Sequence, residues 1–204
     1  MRMTTANKIT IARILLVPVF VVELLNYTGN GREWHRLIAL AIFLVAAIGD
    51  GVDGYVARHY NQRTDMGALL DPLADKLLLV LGLVILSLDN RPWLISIPLW
   101  LTGTVLARDV MLLLLMVLVN YLVGHGTVRP RWTGKIATVL QMACVVWVLL
   151  RWTPGWIAGL AAMATLFTGV SGLIYLRDGI LMIKRRALTE PAVSPSAPFP
   201  PRES

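Results

Sequence analysis

The chain has 204 residues, of which 56% are hydrophobic and 15% are charged, whereas a typical soluble domain has ~25% charged residues. A water-soluble fold of this length could not bury so much apolar sequence. The single cysteine, Cys144, excludes an intramolecular disulfide. The net charge of +7 indicates basic loops facing anionic lipid headgroups, with no nucleic acid as partner, because basic and aromatic residues do not alternate. The composition therefore predicts an all-α protein in a lipid bilayer.

Six apolar segments follow one another along the chain, each long enough for a transmembrane helix of ~20 residues. They cover residues 9–27, 34–58, 67–88, 93–123, 134–152 and 156–183. The first segment contains Glu23 and ends without a small-residue cleavage site, so we interpret it as a retained span and not as a signal peptide. The sequence therefore predicts a polytopic membrane protein with six transmembrane helices.

The distribution of basic residues predicts how these helices are oriented. If the amino end is cytoplasmic, 15 of the 19 lysines and arginines lie on or near the cytoplasmic side. The positive-inside rule then places both termini in the cytoplasm. Residues 1–186 are expected to form one membrane domain, and the proline-rich residues 187–204 are expected to be a disordered tail.

Four aspartates flank the turn between the second and third segments. Asp50 and Asp53 are three residues apart, and Asp71 and Asp75 are four residues apart, so each pair shares one helix face. The eight-residue turn between the segments would make the two helices antiparallel neighbours. An unpaired carboxylate costs ~2.5–3.5 kcal/mol at the bilayer centre, so these four must face water, cations or one another. Oxygen-only ligands predict Mg²⁺ or Mn²⁺, as one or two ions.

Small residues and an arginine accompany the aspartates. Gly54, Ala57 and Gly67 leave room for a bulky anionic ligand, and Arg58 could bind a phosphate through two hydrogen bonds. The set favours a pyrophosphate held for phosphoryl-type transfer. Two alternatives remain open: the glycines could serve helix packing, and the acids could line the path of an ion or proton transporter. The transporter hypothesis does not explain Arg58 or the glycines.

The complete pattern is D-x2-D-G-x2-A-R-x8-G-x3-D-x3-D, starting at Asp50. It resembles the signature of the CDP-alcohol phosphotransferase family at all eight fixed positions. The resemblance implies six membrane helices, a homodimer, and a transferase in which an alcohol attacks the β-phosphorus of a CDP-linked lipid and CMP leaves. The resemblance also implies a role for each motif residue. The metal ligands would be Asp50, Asp53, Asp71 and Asp75, and Asp75 would also be the general base. The CDP moiety would be bound by Gly54, Ala57, Arg58 and Gly67.

Two further segments indicate a branch of that family. Residues 7–18 and 134–141 resemble the first-helix and fifth-helix motifs of phosphatidylglycerophosphate synthases and their cardiolipin synthase relatives. Ala137 stands where the glycerophosphate branch often has lysine, and the Arg108-Asp109 pair is more similar to the cardiolipin branch.

The expected reaction is transfer of a phosphatidyl group from CDP-diacylglycerol to glycerol 3-phosphate, at the cytoplasmic face of the inner membrane. The alternative acceptor is phosphatidylglycerol, with cardiolipin as product. Both acceptors carry a primary hydroxyl and a phosphate, so a basic set is expected to bind the acceptor phosphate: Arg108, Arg129, Arg131 and Lys135.

Overall fold

The computed structural model describes the backbone of residues 5–60, 65–88, 90, 92–123 and 132–189, and the side chains of residues 14–49, 76–88, 90, 92–119, 121 and 132–184. The described residues form α-helices, one 3₁₀ turn at Pro154–Trp156, and no strand. The all-α prediction is therefore confirmed. The helices are α1 (Thr5–Asn30), α2 (Glu33–Tyr60), α3 (Asp65–Ser87), α4 (Leu99–Val123), α5 (Trp132–Leu149) and α6 (Ile157–Thr189).

The end of α1 depends on Gly31, which follows the last helical residue. Gly31 adopts φ = +67°, and its amide donates a 2.8 Å hydrogen bond to the carbonyl oxygen of Tyr27. This is the left-handed helix end that glycine favours. A Cβ atom at Gly31 would also lie 2.5 Å from the ring of Trp93. Glycine is therefore required here by backbone conformation and by close packing.

Two of the predicted spans extend several residues beyond the helices that the structure shows. The fourth helix starts at Leu99 and not at Trp93, because residues 95–98 have no regular structure and Pro98 precedes the first helical residue. The fifth helix ends at Leu149 and not at Trp152. Arg151 adopts φ = 55°, and the amides of residues 151 and 152 bond back to the carbonyls of residues 148 and 147. This is a Schellman motif in which arginine takes the position that glycine usually occupies, so the sequence does not indicate the helix end.

The connection between α2 and α3 is shorter than predicted. The predicted spans leave eight residues for it, but α2 continues to Tyr60 and α3 starts at Asp65, so at most residues 61–64 connect the helices. No glycine or proline interrupts either extension, and Asp65 lies at a helix N-terminus, where a negative charge is favourable. The helical backbone thus carries every position of the acidic motif.

Within the described residues, the helices pack as two groups of three. In the first group, α1 packs against both α2 and α3, and in the second, α6 packs against both α4 and α5. Contacts of α3 with α4 and α5, and of α2 with α5, join the groups. Their shared core includes the fully buried side chains of Phe20, Phe43 and Leu83 from the first group and of Leu101 and Val145 from the second.

The outer surface is apolar, as expected for a protein in lipid. Three helical stretches of the described residues are long and apolar enough to cross a membrane: Leu99–Val119, Trp132–Leu149 and Pro154–Lys184. Shorter apolar stretches cover Ile14–Asn30 and Lys76–Ser87. On α4, side chains such as Leu114 and Val117 are 65% and 68% exposed, which in water would be an aggregation hazard. The six-span count and the cytoplasmic termini stay predictions.

The predicted boundary of the tail falls inside a helix. Helix α6 runs to Thr189, and residues 190–204 lie outside the described part of the chain. The prediction of a disordered tail is untested for those residues.

Candidate active site

The eight motif positions lie on two helices that follow each other in the chain. The two aspartates of α2, with the small residues and Arg58, occupy its last three turns, and Gly67, Asp71 and Asp75 occupy the first half of α3. The helical backbone puts positions 50 and 53 on one face of α2, and positions 71 and 75 on one face of α3. The side chains of the whole motif lie outside the described residues. Among the side chains that are described, no cluster of three or more His, Cys, Asp or Glu residues could hold a metal ion.

A charged cluster directly follows the motif. Lys76 is the residue after Asp75, and its Nζ donates a 2.8 Å hydrogen bond to Oδ1 of Asp109 on α4. The Asp109 side chain is 16% exposed, and Arg108 Nη1 lies 3.6 Å from the same oxygen. Two cations therefore share one carboxylate in the middle of α4, so these three described side chains together carry one net positive charge.

Arg108 is held almost entirely inside the second helix group. Its side chain is 10% exposed, and Nη2 donates a 3.1 Å hydrogen bond to Oγ of Ser171 on α6. Its Nε is buried and has no hydrogen-bond partner among the side chains that the structure describes. The buried hydroxyl of Thr133, at the start of α5, is also without one. Because buried polar atoms are nearly always paired, the unpaired Nε of Arg108 is a donor that a ligand could use.

Glycine at position 134 brings α5 against this guanidinium. A Cβ atom at Gly134 would lie 3.1 Å from Arg108 Nη2, 3.3 Å from the hydroxyl oxygen of Tyr175 and 3.4 Å from Oγ of Ser171. A side chain here would be in tight contact with Arg108 and Tyr175 and in ordinary contact with Ser171. About two helical turns further along, buried Gln141 donates a 2.8 Å hydrogen bond to Thr168 of α6. The segment 134–141 thus fixes α5 to α6 beside Arg108.

The predicted acceptor set is brought together only in part. Arg108 lies in the cluster described above, whereas Lys135 is exposed and its Nζ lies 5.4 Å from the centre of the Trp132 ring. Arg129 and Arg131 lie outside the described residues. The structure thus gives Arg108 a defined environment and leaves the roles of the other three cations untested.

Sequence reasoning missed the role of Asp109. An aspartate that follows an arginine is typical of charge pairing at a helix end, but Asp109 lies in the middle of α4, which continues for fourteen residues to Val123. Ser171 was also missed, since an isolated serine in an apolar segment gives no signal. For Asp109 the sequence did contain a signal. An ionised side chain inside a membrane segment needs a partner, and Lys76 was a candidate.

Comparison with known proteins identifies the family. The model of the CDP-alcohol phosphatidyltransferase family matches residues 3–170. The chain is 35% identical, over 181 residues, to CDP-diacylglycerol–glycerol-3-phosphate 3-phosphatidyltransferase of Escherichia coli K12, an alignment that covers 86% of this chain and 94% of the relative. It is 34% identical to the protein of the same name from Salmonella typhi, with the same coverage. The chain therefore belongs to the CDP-alcohol phosphatidyltransferase family, which generally depends on divalent metal ions.

Proposed function

We propose that the protein transfers the phosphatidyl group of CDP-diacylglycerol to glycerol 3-phosphate, giving phosphatidylglycerophosphate and CMP. The observation that carries the proposal is the set of relatives with this activity in their names, aligned over 86% of the chain. The motif from Asp50 to Asp75, complete and on consecutive helices, supports it.

In the proposed reaction, the primary hydroxyl of the acceptor attacks the β-phosphorus of CDP-diacylglycerol. The new P–O bond forms as the bond to the CMP oxygen breaks, and CMP leaves from the opposite side. Asp75 accepts the hydroxyl proton. Gly54, Ala57 and Gly67 leave room for the CDP moiety, and Arg58 binds its phosphate.

The donor set of the motif suits a hard divalent cation. Four carboxylates with no histidine or cysteine among them fit Mg²⁺ or Mn²⁺, and we propose that Asp50, Asp53, Asp71 and Asp75 hold two such ions. When bound, the ions neutralise the charge of the pyrophosphate and of the carboxylates themselves.

The setting of the proposed site is the inner membrane, with the motif facing the cytoplasm. The excess of lysine and arginine on that side of the chain supports this orientation. We also propose that the protein is a homodimer, and the exposed apolar side chains of α4 are compatible with contacts to a second copy or to lipid.

Phosphatidylglycerol is the second candidate acceptor, with cardiolipin as product. Two observations favour it: Arg108 is followed by aspartate, and Ala137 is completely buried, so no cation extends from that position. We prefer glycerol 3-phosphate as the acceptor because the names of the relatives include it.

Product identification tests the proposal directly. We expect purified protein with CDP-diacylglycerol, Mg²⁺ and glycerol 3-phosphate to release CMP and to form phosphatidylglycerophosphate, as measured by mass spectrometry of the lipid product. Product formed only with phosphatidylglycerol would establish the second candidate. Metal-independent ion flux without CMP release would instead support the transporter hypothesis.

Arg108→Gln is expected to raise the KM for glycerol 3-phosphate at least tenfold and to leave the KM for CDP-diacylglycerol within about twofold. A hydrogen bond to a charged group contributes ~1.5–3 kcal/mol, and 1.4 kcal/mol corresponds to tenfold in affinity. Steady-state kinetics with each substrate varied in turn measure the effect.

Arg151→Gln is the matched control, because it makes the same substitution at the opposite end of the helices. Arg151 is paired there with Glu33 at 2.8 Å. It should leave both KM values unchanged. An equal rise of both KM values in Arg108→Gln would contradict a role in acceptor binding and would show that Arg108 acts on the packing of the site as a whole.

A further inference from the structure

We infer that Asp109 is a positioning residue of the transfer reaction: by pairing with Lys76, it fixes the acidic segment of α3 against the helix group that contains Arg108. The inference deepens the proposed function and rests on its assignment of the motif as the reacting site. It follows from where the two helix groups are joined by polar contacts.

The motif and Arg108 belong to different helix groups. The motif lies on α2 and α3, which pack on α1, whereas Arg108 lies on α4, which packs on α6. In-line transfer requires that the acceptor and the donor meet at a distance of about 3–3.5 Å. The rate therefore depends on how precisely the two groups are held relative to each other.

Most of the described polar contacts between the groups lie far from the motif. Glu33 pairs with Arg151, Arg36 donates to the carbonyl oxygen of Leu149, and the hydroxyls of Ser87 and Thr102 are hydrogen-bonded. These contacts involve the start of α2 and the end of α3. They hold the groups together at one end only.

The Lys76–Asp109 pair supplies a contact on the motif side. Lys76 is about three helical turns closer to the motif than Ser87 is, and it is the neighbour of Asp75. Among the described side chains, this ion pair is the polar contact between the groups that lies nearest to the motif. Loss of the pair would let the first half of α3 shift relative to α4 while the far end stays fixed.

The surroundings of Asp109 explain why its charge is needed. Its side chain is 16% exposed, in an apolar helix, and its carboxylate is stabilised by Lys76 at 2.8 Å and by Arg108 at 3.6 Å. Arg108 is held separately by Ser171. Neutralising Asp109 therefore removes the ion pair of the half-exposed Lys76, whereas Arg108 keeps its hydrogen bond to Ser171 on α6. We expect the catalytic rate to fall more than the affinity for the acceptor.

The test is a double-mutant cycle with kcat measured as CMP release, using whichever acceptor the wild-type protein accepts. Asp109→Asn and Lys76→Met are each expected to lower kcat about tenfold, less than the ~10²-fold that a 1 Å misplacement can cost. KM for both substrates should stay within about twofold. The double variant should also lose about tenfold, because both changes remove one interaction. Asp109→Glu keeps the charge and should retain most of the wild-type kcat.

The matched control is Glu33→Gln, which breaks a pair between the groups at the opposite end and should leave kcat within about twofold. Wild-type kcat in both single variants, or losses that multiply to about a hundredfold in the double variant, would overturn the inference. So would a rise in acceptor KM with kcat unchanged, since Asp109 would then act on binding. If Asp109→Asn fails to fold, Lys76→Met removes the same pair from a half-exposed position. If the proposed acceptor is wrong, the product assay will show it, and the double-mutant cycle can still be measured with the acceptor that the protein uses.

Discussion

Asp75→Asn is expected to lower turnover by ~10²-fold or more, the usual scale for losing a general base, while CDP-diacylglycerol binding stays near normal. The attacking hydroxyl is a weak nucleophile at neutral pH and needs a proton acceptor within hydrogen-bond reach. A carboxylate bound to a metal ion has a lowered pKa and is a weak base, so the base should be the aspartate least committed to metal. Of the two motif aspartates on α3, Asp75 lies one turn beyond Asp71 and so farther from the connection to α2.

The comparison variant for this experiment is Asp53→Asn, which should weaken metal binding and nucleotide binding together. Nucleotide binding is measured by calorimetry with CDP-diacylglycerol, and turnover by CMP release, over a range of Mg²⁺ concentrations. If Asp75→Asn reaches nearly the wild-type rate once Mg²⁺ is raised, Asp75 is only a metal ligand and the proton has another acceptor.

The parts of the fold that depend on local sequence could be predicted, and the parts that depend on packing could not. The apolar periodicity and the spacing from Asp50 to Asp75 predicted the helices that carry the motif. The start of α4 and the end of α5 were missed because Pro98 and Arg151, and not glycine, occupy those boundaries. Arg151 in a left-handed conformation costs about 1–2 kcal/mol relative to glycine, which tertiary contacts offset.

The candidate site shows the same division. The motif residues are close in sequence, so their spacing alone indicates chemistry. Arg108 could be proposed from its charge, but its environment comes from Gly134 and Ser171 on two other helices. The partner of Lys76 lies on α4, thirty-three residues away, and only the packing of α3 against α4 reveals it.

Removal of divalent metal is expected to abolish CMP release and to loosen α2 and α3. Four carboxylates in apolar segments repel one another, and each costs ~2.5–3.5 kcal/mol if unpaired at the bilayer centre. A bound cation removes most of this penalty, so metal binding is coupled to folding. At a free ion concentration a hundredfold above Kd, binding stabilises the native state by ~2.7 kcal/mol. For a chain of this length that corresponds to a Tm decrease of about 5 °C or more in EDTA.

Thermal unfolding and CMP release are measured in the same samples, before and after EDTA and after adding back Mg²⁺ or Mn²⁺. The Tm of Asp53→Asn should respond less to EDTA than that of the wild type, because one ligand is already lost. Glu33→Gln removes a carboxylate outside the motif and should respond as the wild type does. Full turnover in metal-free buffer, or a Tm that EDTA leaves unchanged in every variant, would contradict a metal site at the motif. The four aspartates would then have to be stabilised by water or by cationic side chains of the protein.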